Sequence, residues 1–586
     1  MIKRNTYTAV VGGGLFFVFF LGYYCYLAAS FPSEFNVDNH LNVSATRYLV
    51  DNHTLPIVEA EQSDISFSNL GTTRSLRPPL TYITSAIIYG ATASFIESDE
   101  TKMRLGSAFL GAITIAIIFI GYFVFLESLW LSILGALLIG LLPRYVFLAT
   151  CNNDDIGAIF SGSLLICSML CVHKVGATKL VIGLFAFAIG LVLQTKFTAW
   201  LLIPWIGVFL LLTCWFRRPT SLRLSHFVTA LSMFFIAGGW WPVFNMVNYG
   251  LADPTAMKQA ASIQMSMNGG YATDRGYWSL GISSIDLLLN RDDFLVTSFR
   301  SFVGHLSWIE LDVGDWSYWF YGLVFTFALL FGVWAILEKN GGERLIVLIV
   351  MAMIISQFCF YLHHNLARDV QPQARYILPI IMALVVLFLM LLKRVPSDAA
   401  RLFVGSLRLS GVEMTALLMM LLTVMCHFLT MRLAVLPSYQ AHPYYMSLLN
   451  KQSFPLKDLF QIERLSGVDA SFDGQHMMLT RKAPGDIEAY FDDGLCKILR
   501  SNARVDLRVQ SRMSGDLSFK IYRKYRDSKP LVYWHEFSGG DQLISIFVKA
   551  DECLSVGISL GRTTNFIRIL SLEVQPIRVH AYSMPI

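Results

Sequence analysis

The chain has 586 residues, of which 55% are hydrophobic and only 15% charged, with a formal net charge of +5. Soluble domains carry about a quarter charged residues, so the composition excludes an ordinary soluble protein and points to a membrane. The small, dispersed positive charge gives no footing for nucleic acid. No repeat or low-complexity tract is present, and the nine cysteines include no pair at zinc-finger spacing.

A helix needs about 20 apolar residues to cross a bilayer. In chain order, hydropathy predicts eleven spans at 7–29, 103–126, 131–149, 155–172, 180–195, 199–216, 225–244, 317–337, 344–362, 376–392 and 412–436. Lys3 and Arg4 precede the first, which lacks a small-residue cleavage site and reads as an uncleaved anchor with a cytoplasmic N-terminus. Three basic clusters then also fall on the cytoplasmic side: Arg217, Arg218 and Arg223; Lys339 and Arg344; and Lys393, Arg394, Arg401 and Arg408. The loops 30–102, 150–154, 245–316 and 363–375 and the tail from 437 lie outside. Segment 79–96, which follows Arg77-Pro78, reads as an interfacial helix; as a twelfth span it would invert everything after it.

Beyond 436 the chain changes character. A helix or two is expected at 440–466. Strand-like alternation follows in Val505–Val509, Leu517–Tyr522 and Ile567–Ile569, with turn residues between. The expected architecture is a polytopic α-helical catalytic domain at 1–436 and an extracytoplasmic β-sandwich at 437–586. Cys496 and Cys553 are the only cysteines in that tail, either a disulfide in an oxidising compartment or two separate core thiols.

Ionisable residues at the membrane edge collect on the outer side, where they are costly and read as functional by default. Asp38 follows the first span as a candidate general base, with Glu34 as the fallback; the bland reading of either is a turn or cap residue. Asn152-Asn153-Asp154-Asp155 opens the fourth span. Helix capping explains at least two of the four, or else a carboxylate faces the cavity, orients an acceptor, holds a cationic partner or ligates a divalent metal. Arg144 is placed to reach a phosphate. Lys196 ends the fifth span, either snorkelling to the interface or held at a phosphate. Arg375 starts the tenth and suits bidentate phosphate contact. Trp240-Trp241, Tyr249 and the Phe299–Trp308 stretch are either an interfacial belt or stacking faces for sugars. The adjacent His363 and His364 lack the spacing of a metal pair.

In order, these pieces resemble the glycosyltransferase C superfamily, polytopic enzymes that use polyprenyl-phosphate sugars. The resemblance rests on Asp38-Asn39-His40, Pro78-Pro79-Leu80, Asn153-Asp154 and Thr195-Lys196-Phe197. It continues in Trp241 with Asn245, Tyr249 and Gly250, and in Gln373 with Arg375, Tyr376 and Pro379, covering residues 7–392. Asn39 departs from the pattern, standing where a second acid is common, which weakens any metal at that loop. Residue 374 is Ala where Gly is common.

The resemblance implies an inverting transfer of a monosaccharide from a polyprenyl phosphate, undecaprenyl in a bacterial inner membrane, to a periplasmic glycan such as O-antigen. Asp38, Glu34 and Asp154 would be catalytic. Lys196, Arg375 and Arg144 would hold the lipid phosphate, and His40, Asn153, Trp241 and Tyr376 would contact acceptor or sugar. No cofactor is required, though a divalent metal has room beside the carboxylates. The rivals are an O-antigen ligase or polymerase acting on a lipid-linked oligosaccharide, and a flippase or transporter, which should show repeat symmetry.

The odd span count makes the tail periplasmic. A reporter active only in the periplasm and fused after Ile586 should be active. Activity of a cytoplasm-only reporter at the same junction refutes the topology.

Overall fold

The computed structural model describes residues 2–31, 39–59, 64–67, 71–217, 224–267, 276–280, 282–289, 294–306, 312–338, 343–368, 371–396, 402–404 and 407–436, and beyond these the backbones of strands between 452 and 576. The chain divides into two units, Met1–Ser66 with Thr72–Leu436 and Phe67–Gly71 with Pro437–Ile586.

The first unit is helical. α1 (Ile2–Ser30), α2 (Asn39–Asn52) and α3 (Leu80–Thr92) precede the long α4 (Asp99–Leu126). Next come α5 (Leu129–Gly140), α6 (Pro143–Thr150), α7 (Asp155–Val175), α8 (Lys179–Leu193) and α9 (Leu202–Arg217). α10 (Leu224–Phe234) runs through a π-turn at Phe235–Gly239 into α11 (Trp240–Tyr249). The short α12 (Met257–Met267), α13 (Ser284–Leu289) and α14 (Phe294–Val303) lead to α15 (Asp315–Leu337) and α16 (Arg344–Ala367). A 3-10 turn at Ala374–Ile380 enters α17 (Ile381–Lys393), and α18 (Gly411–Thr430) closes the unit after a small hairpin of β1 (Leu402–Val404) and β2 (Leu407–Leu409).

Eight helices among the described residues are long and apolar enough to cross a membrane, and the protein is multi-pass. Eleven spans were expected, and the difference has local causes. The run 131–149 is broken: α5 and α6 meet at a 64° bend, because Pro143 has no N–H to continue α5 and instead starts α6 at its first turn. The runs 180–195 and 199–216 form α8 and α9, of 15 and 16 residues. At about 1.5 Å per residue each reaches roughly 22–24 Å, short of the ~30 Å hydrocarbon core. The polar Gln194-Thr195-Lys196 segment separates them. α3 has only 13 residues, as an interfacial helix should, and is too short for a twelfth span.

α4 is the central post, packed against α1, α3, α5, α6 and α7. α3 seats tightly because small residues face it. A Cβ on Gly106 of α4 would lie 2.4 Å from Ser85 Cα, and one on Gly157 of α7 would lie 2.3 Å from Thr81 Oγ1. The broken α5–α6 pair leaves carbonyls without helical donors, which water cannot satisfy at this depth. Tyrosine and histidine from three other helices supply donors instead. Tyr24 donates to Gly140 O at 2.7 Å, Tyr321 to Leu138 O at 3.1 Å, and His427 Nδ1 lies 2.9 Å from Leu141 O.

The second unit contains eleven strands among its described residues. They are β3 (Gln452–Ser453), β4 (Ile462–Ser466), β5 (Val468–Asp473), β6 (His476–Arg481), β7 (Ile487–Phe491) and β8 (Ala503–Ser511). β9 (Leu517–Lys524), β10 (Leu531–Glu536), β11 (Gly540–Val548), β12 (Cys553–Leu560) and β13 (Phe566–Pro576) follow. Two antiparallel sheets result, β10-β9-β12-β7-β4 and β11-β8-β13-β6-β5, with β3 on β13. Where helices were expected at 440–466, the described residues form β3 and β4 instead. Cys496 lies outside the described residues, and Cys553 opens β12.

Removing two donors from the α5–α6 break should show in stability. Tyr24→Phe and Tyr321→Phe should each cost about 1 kcal/mol, the scale of hydrogen bonds between membrane helices, with near-additive effects because different carbonyls are lost. Thermal unfolding of the detergent-solubilised single and double variants measures this. Wild-type stability in the double variant contradicts it.

Candidate functional site

The site grows from the start of α7. Asn153 Oδ1 accepts the Asp155 N–H at 2.7 Å and so caps the helix, while Asn152 Nδ2 donates to Thr46 Oγ1 of α2 at 3.1 Å. Two Asn side chains thereby occupy the capping and bracing positions and leave both carboxylates for other work; Asp154 makes no capping bond. The segment after α8 brings Lys196 Nζ to 2.7 Å from Asp155 Oδ1 and 3.3 Å from Asp154 Oδ1. From the 3-10 turn before α17, Arg375 Nε lies 3.6 Å from Asp155 Oδ2, an ion pair beyond hydrogen-bond length. All four side chains are buried, none more than 6% exposed.

Tyr376 forms one wall. Lys196 Nζ and Arg375 Cζ lie 4.8 Å and 5.6 Å from its ring centroid, in cation–π range. The ring is held by its hydroxyl, which donates to Gln371 Oε1 at 2.6 Å, and by its carbonyl, which accepts from Gln357 Nε2 at 2.6 Å.

The electrostatics are lopsided. Burial pushes the Asp154 carboxyl up, but Lys196, then Arg74, Arg77 and Arg375, pull it further down, and the result is well below the ordinary carboxylate range. Arg74 and Arg77 belong to the turn that leads into α3, where Arg77 N–H donates to Arg74 O at 3.0 Å. Sequence reasoning gave neither a role; the available signal was Arg77 directly before Pro78-Pro79 on the outer side. Lys196, Arg74, Arg77 and Arg375 thus all act on the Asp154 carboxylate, a setting that also suits an anionic ligand. Asp154 Oδ2 and Asp155 Oδ2 are buried and accept no hydrogen bond among the described residues, so each is suited to a hydroxyl donor. A divalent metal does not fit this donor set, because both carboxylates already face Lys196, and no group of three His, Cys, Asp or Glu that could hold a metal occurs among the described residues.

The other expected residues are distributed differently. Arg144 lies within electrostatic range of Asp155 and Arg375, and its guanidinium is also tied to α14. Its Nε donates to Ser301 O at 2.7 Å and its Nη2 to Ser301 Oγ at 3.3 Å and to His305 O. It thereby clasps the C-terminal end of α14, where a cation also suits the helix dipole. His40 is exposed on α2. Trp241 is buried edge-on to Trp200, centroids 6.3 Å apart. It lines a narrow cleft with Pro56, Arg77, Pro79, Asn245 and Tyr249. Asn245 and Tyr249 shape that cleft: Asn245 Nδ2 donates to Pro254 O at 3.0 Å, and the Tyr249 hydroxyl accepts the Val58 N–H at 3.1 Å. Asp38 and Glu34 lie outside the described residues.

No protein-family model matches the chain, and no curated protein matches it. Among solved structures it is similar to ArnT from Cupriavidus metallidurans bound to undecaprenyl phosphate, at 14% identity and TM-score 0.43, over 67% of this chain and 62% of that one. The apo state of ArnT gives 15% identity and TM-score 0.44, over 67% and 61%. The Pmt1-Pmt2 protein O-mannosyltransferase complex of S. cerevisiae bound to its sugar donor gives 14% and 0.30, over 42% and 34%. The chain spans about three fifths of the ArnT chain.

The depressed Asp154 pKa gives a pH test. Its folded value lies below the unfolded one, so its stabilisation is fully present above the unfolded pKa and is lost only as pH falls through the folded value. Across about pH 5–8 Asp154 therefore stays ionised in the wild type. In Lys196→Met the largest opposing charge is gone and burial should raise the carboxyl. Infrared difference spectra should then show a protonated-carboxyl band in that window, absent from the wild type and from Lys196→Met/Asp154→Asn. No band in Lys196→Met refutes the assigned cause.

Proposed function

We propose that the helical unit is an inverting membrane glycosyltransferase that takes a monosaccharide from a polyprenyl phosphate, undecaprenyl phosphate in a bacterial inner membrane, and passes it to a periplasmic glycan such as O-antigen. The observation that carries this reading is the buried cluster of Lys196 and Arg375 on Asp154 and Asp155, with Arg74 and Arg77 also acting on Asp154. Cations gathered at the ends of apolar helices suit a phosphate whose chain lies in lipid. The same charge stabilises the phosphate as it departs, when negative charge builds on it. Phosphate is a competent leaving group, so no general acid is needed.

In this scheme Asp38 takes the proton from the acceptor hydroxyl as it attacks the anomeric carbon, and Glu34 is the fallback base. One displacement inverts the anomeric centre. Asp154 Oδ2 and Asp155 Oδ2 accept sugar hydroxyls, and Trp241 with Tyr376 supplies ring faces. Counting the bent α5–α6 pair and the short α8 and α9 as crossings, in keeping with the return of Lys196 to the level of Asp155, keeps the span count odd, the N-terminus cytoplasmic and the second unit a periplasmic sandwich of the two sheets.

Full-length protein in detergent tests this directly. It should release free undecaprenyl phosphate from an undecaprenyl-phosphate monosaccharide. Lys196→Ala and Arg375→Ala should each weaken undecaprenyl phosphate binding by about tenfold or more, about 1.4 kcal/mol or above. Asp38→Asn should keep that affinity and lose about 100-fold or more in turnover, the scale of a positioned base. Unchanged affinity in both cation variants refutes the phosphate site, and near-normal turnover in Asp38→Asn moves the base to Glu34.

A further inference from the structure

Gln194 joins the ion cluster to the wall of the cleft. It follows α8 directly and is buried. Its carbonyl accepts the N–H of Leu80, the first residue of α3, at 3.0 Å. Pro79, which precedes that helix, offers no side-chain acceptor, so Gln194 satisfies one of the donors orphaned at a helix start. The bond also fixes the turn that carries Arg77. The side chain reaches the other way, and Nε2 donates to Ala237 O at 2.9 Å.

Ala237 lies in the π-turn between α10 and α11. Such turns disturb the helical ladder and are frequent at functional sites. Gly238 has φ +159°, a backbone conformation that side chains resist. The turn and α8 meet backbone to backbone. A Cβ on Gly238 would lie 2.4 Å from Gly190 O and 2.5 Å from Gln194 Cγ, and one on Gly190 would lie 2.4 Å from Phe234 O. No substitution is accommodated on either side without movement. Lys196 follows Gln194 two residues later, and Trp241 follows Gly238 three residues later. One buried amide therefore spans the segment that places the phosphate cation and the helix that walls the cleft.

We propose that Gln194 is a positioning residue for sugar transfer: its side-chain amide holds α11, with Trp241 and Asn245, in register with Lys196, so that cleft and phosphate cations act on one donor. This rests on the glycosyltransferase reading above. The phosphate cations do not depend on the side-chain bond, because Lys196 and Arg375 are held by Asp154 and Asp155, and the turn of Arg77 by its own bond to Arg74 O and by the Gln194 carbonyl on Leu80 N.

The test uses Gln194→Leu in the full-length protein, which keeps most of the side-chain volume and removes the amide, donor and acceptor together. Affinity for undecaprenyl phosphate should stay within about twofold, while kcat per folded molecule falls by about tenfold or more, since small misplacements of positioning elements have large rate effects. Amide hydrogen exchange across residues 240–249 should be faster in the variant. A purely structural glutamine would lower the folded fraction and leave kcat per folded molecule untouched, and that result overturns the proposal. If the wild type transfers no sugar from an undecaprenyl-phosphate donor, the glycosyltransferase reading fails by itself. The exchange comparison then decides the mechanical claim, and unchanged exchange at 240–249 overturns it.

Discussion

Two carboxylates buried at the start of a membrane helix cannot stand alone. The effective cost of burying an unpaired ion is several kcal/mol even after relaxation, so Asp154 and Asp155 require cations, and the cations must come from elsewhere in the chain. Lys196 arrives from the break after α8, Arg375 from the 3-10 turn before α17, and Arg74 and Arg77 from the turn before α3. Each of those positions is an interruption in a helix or its approach. The irregularities of the helical unit are thus where the site is, and the regular helices between them carry those interruptions to one place.

The same logic explains how broken helices persist in an apolar setting. Where α5 gives way to α6, donors from α1, α15 and α18 replace the lost helical bonds. Where α10 gives way to α11, Gln194 does so for Ala237. At the end of α14, Arg144 does so for Ser301 and His305. These side chains are polar and buried, and of them Arg144 alone reads from sequence as a candidate functional group. Arg144 shows the ambiguity: a buried arginine beside a membrane is equally a phosphate ligand or a clasp, and only the positions of two carbonyls decide between them.

The charge distribution also bears on what can bind. Four cations act on Asp154, a setting that suits an anion, while the Oδ2 atoms, which accept no hydrogen bond among the described residues, suit hydroxyl groups. A phosphorylated sugar presents both. A divalent cation would have to displace Lys196 from two carboxylates at once.

Much of this was legible in the chain itself. Composition and hydropathy determined a multi-pass helical membrane protein, because about 20 apolar residues in a row have few other places to go. Period-two alternation determined that Val505–Val509, Leu517–Tyr522 and Ile567–Ile569 are strands, as β8, β9 and β13 show. The residue types at 153–155, 196 and 375 marked the cluster, because charges at the membrane edge need a reason. Tertiary structure decided the rest. It bent the run 131–149, since a proline marks an interruption without showing its angle. It made Asn153 the cap and Asp154 the ion-pair partner, a choice made by distance to Lys196 and invisible in a row of four capping-type residues. It drew Arg74 and Arg77 toward Asp154 and tied Arg144, beside Asp155 and Arg375, to α14. Hydropathy and residue type are local properties of the chain, whereas which cation meets which oxygen depends on contacts between distant segments, 41 positions apart for Lys196 with Asp155 and 157 for Arg144 with Ser301.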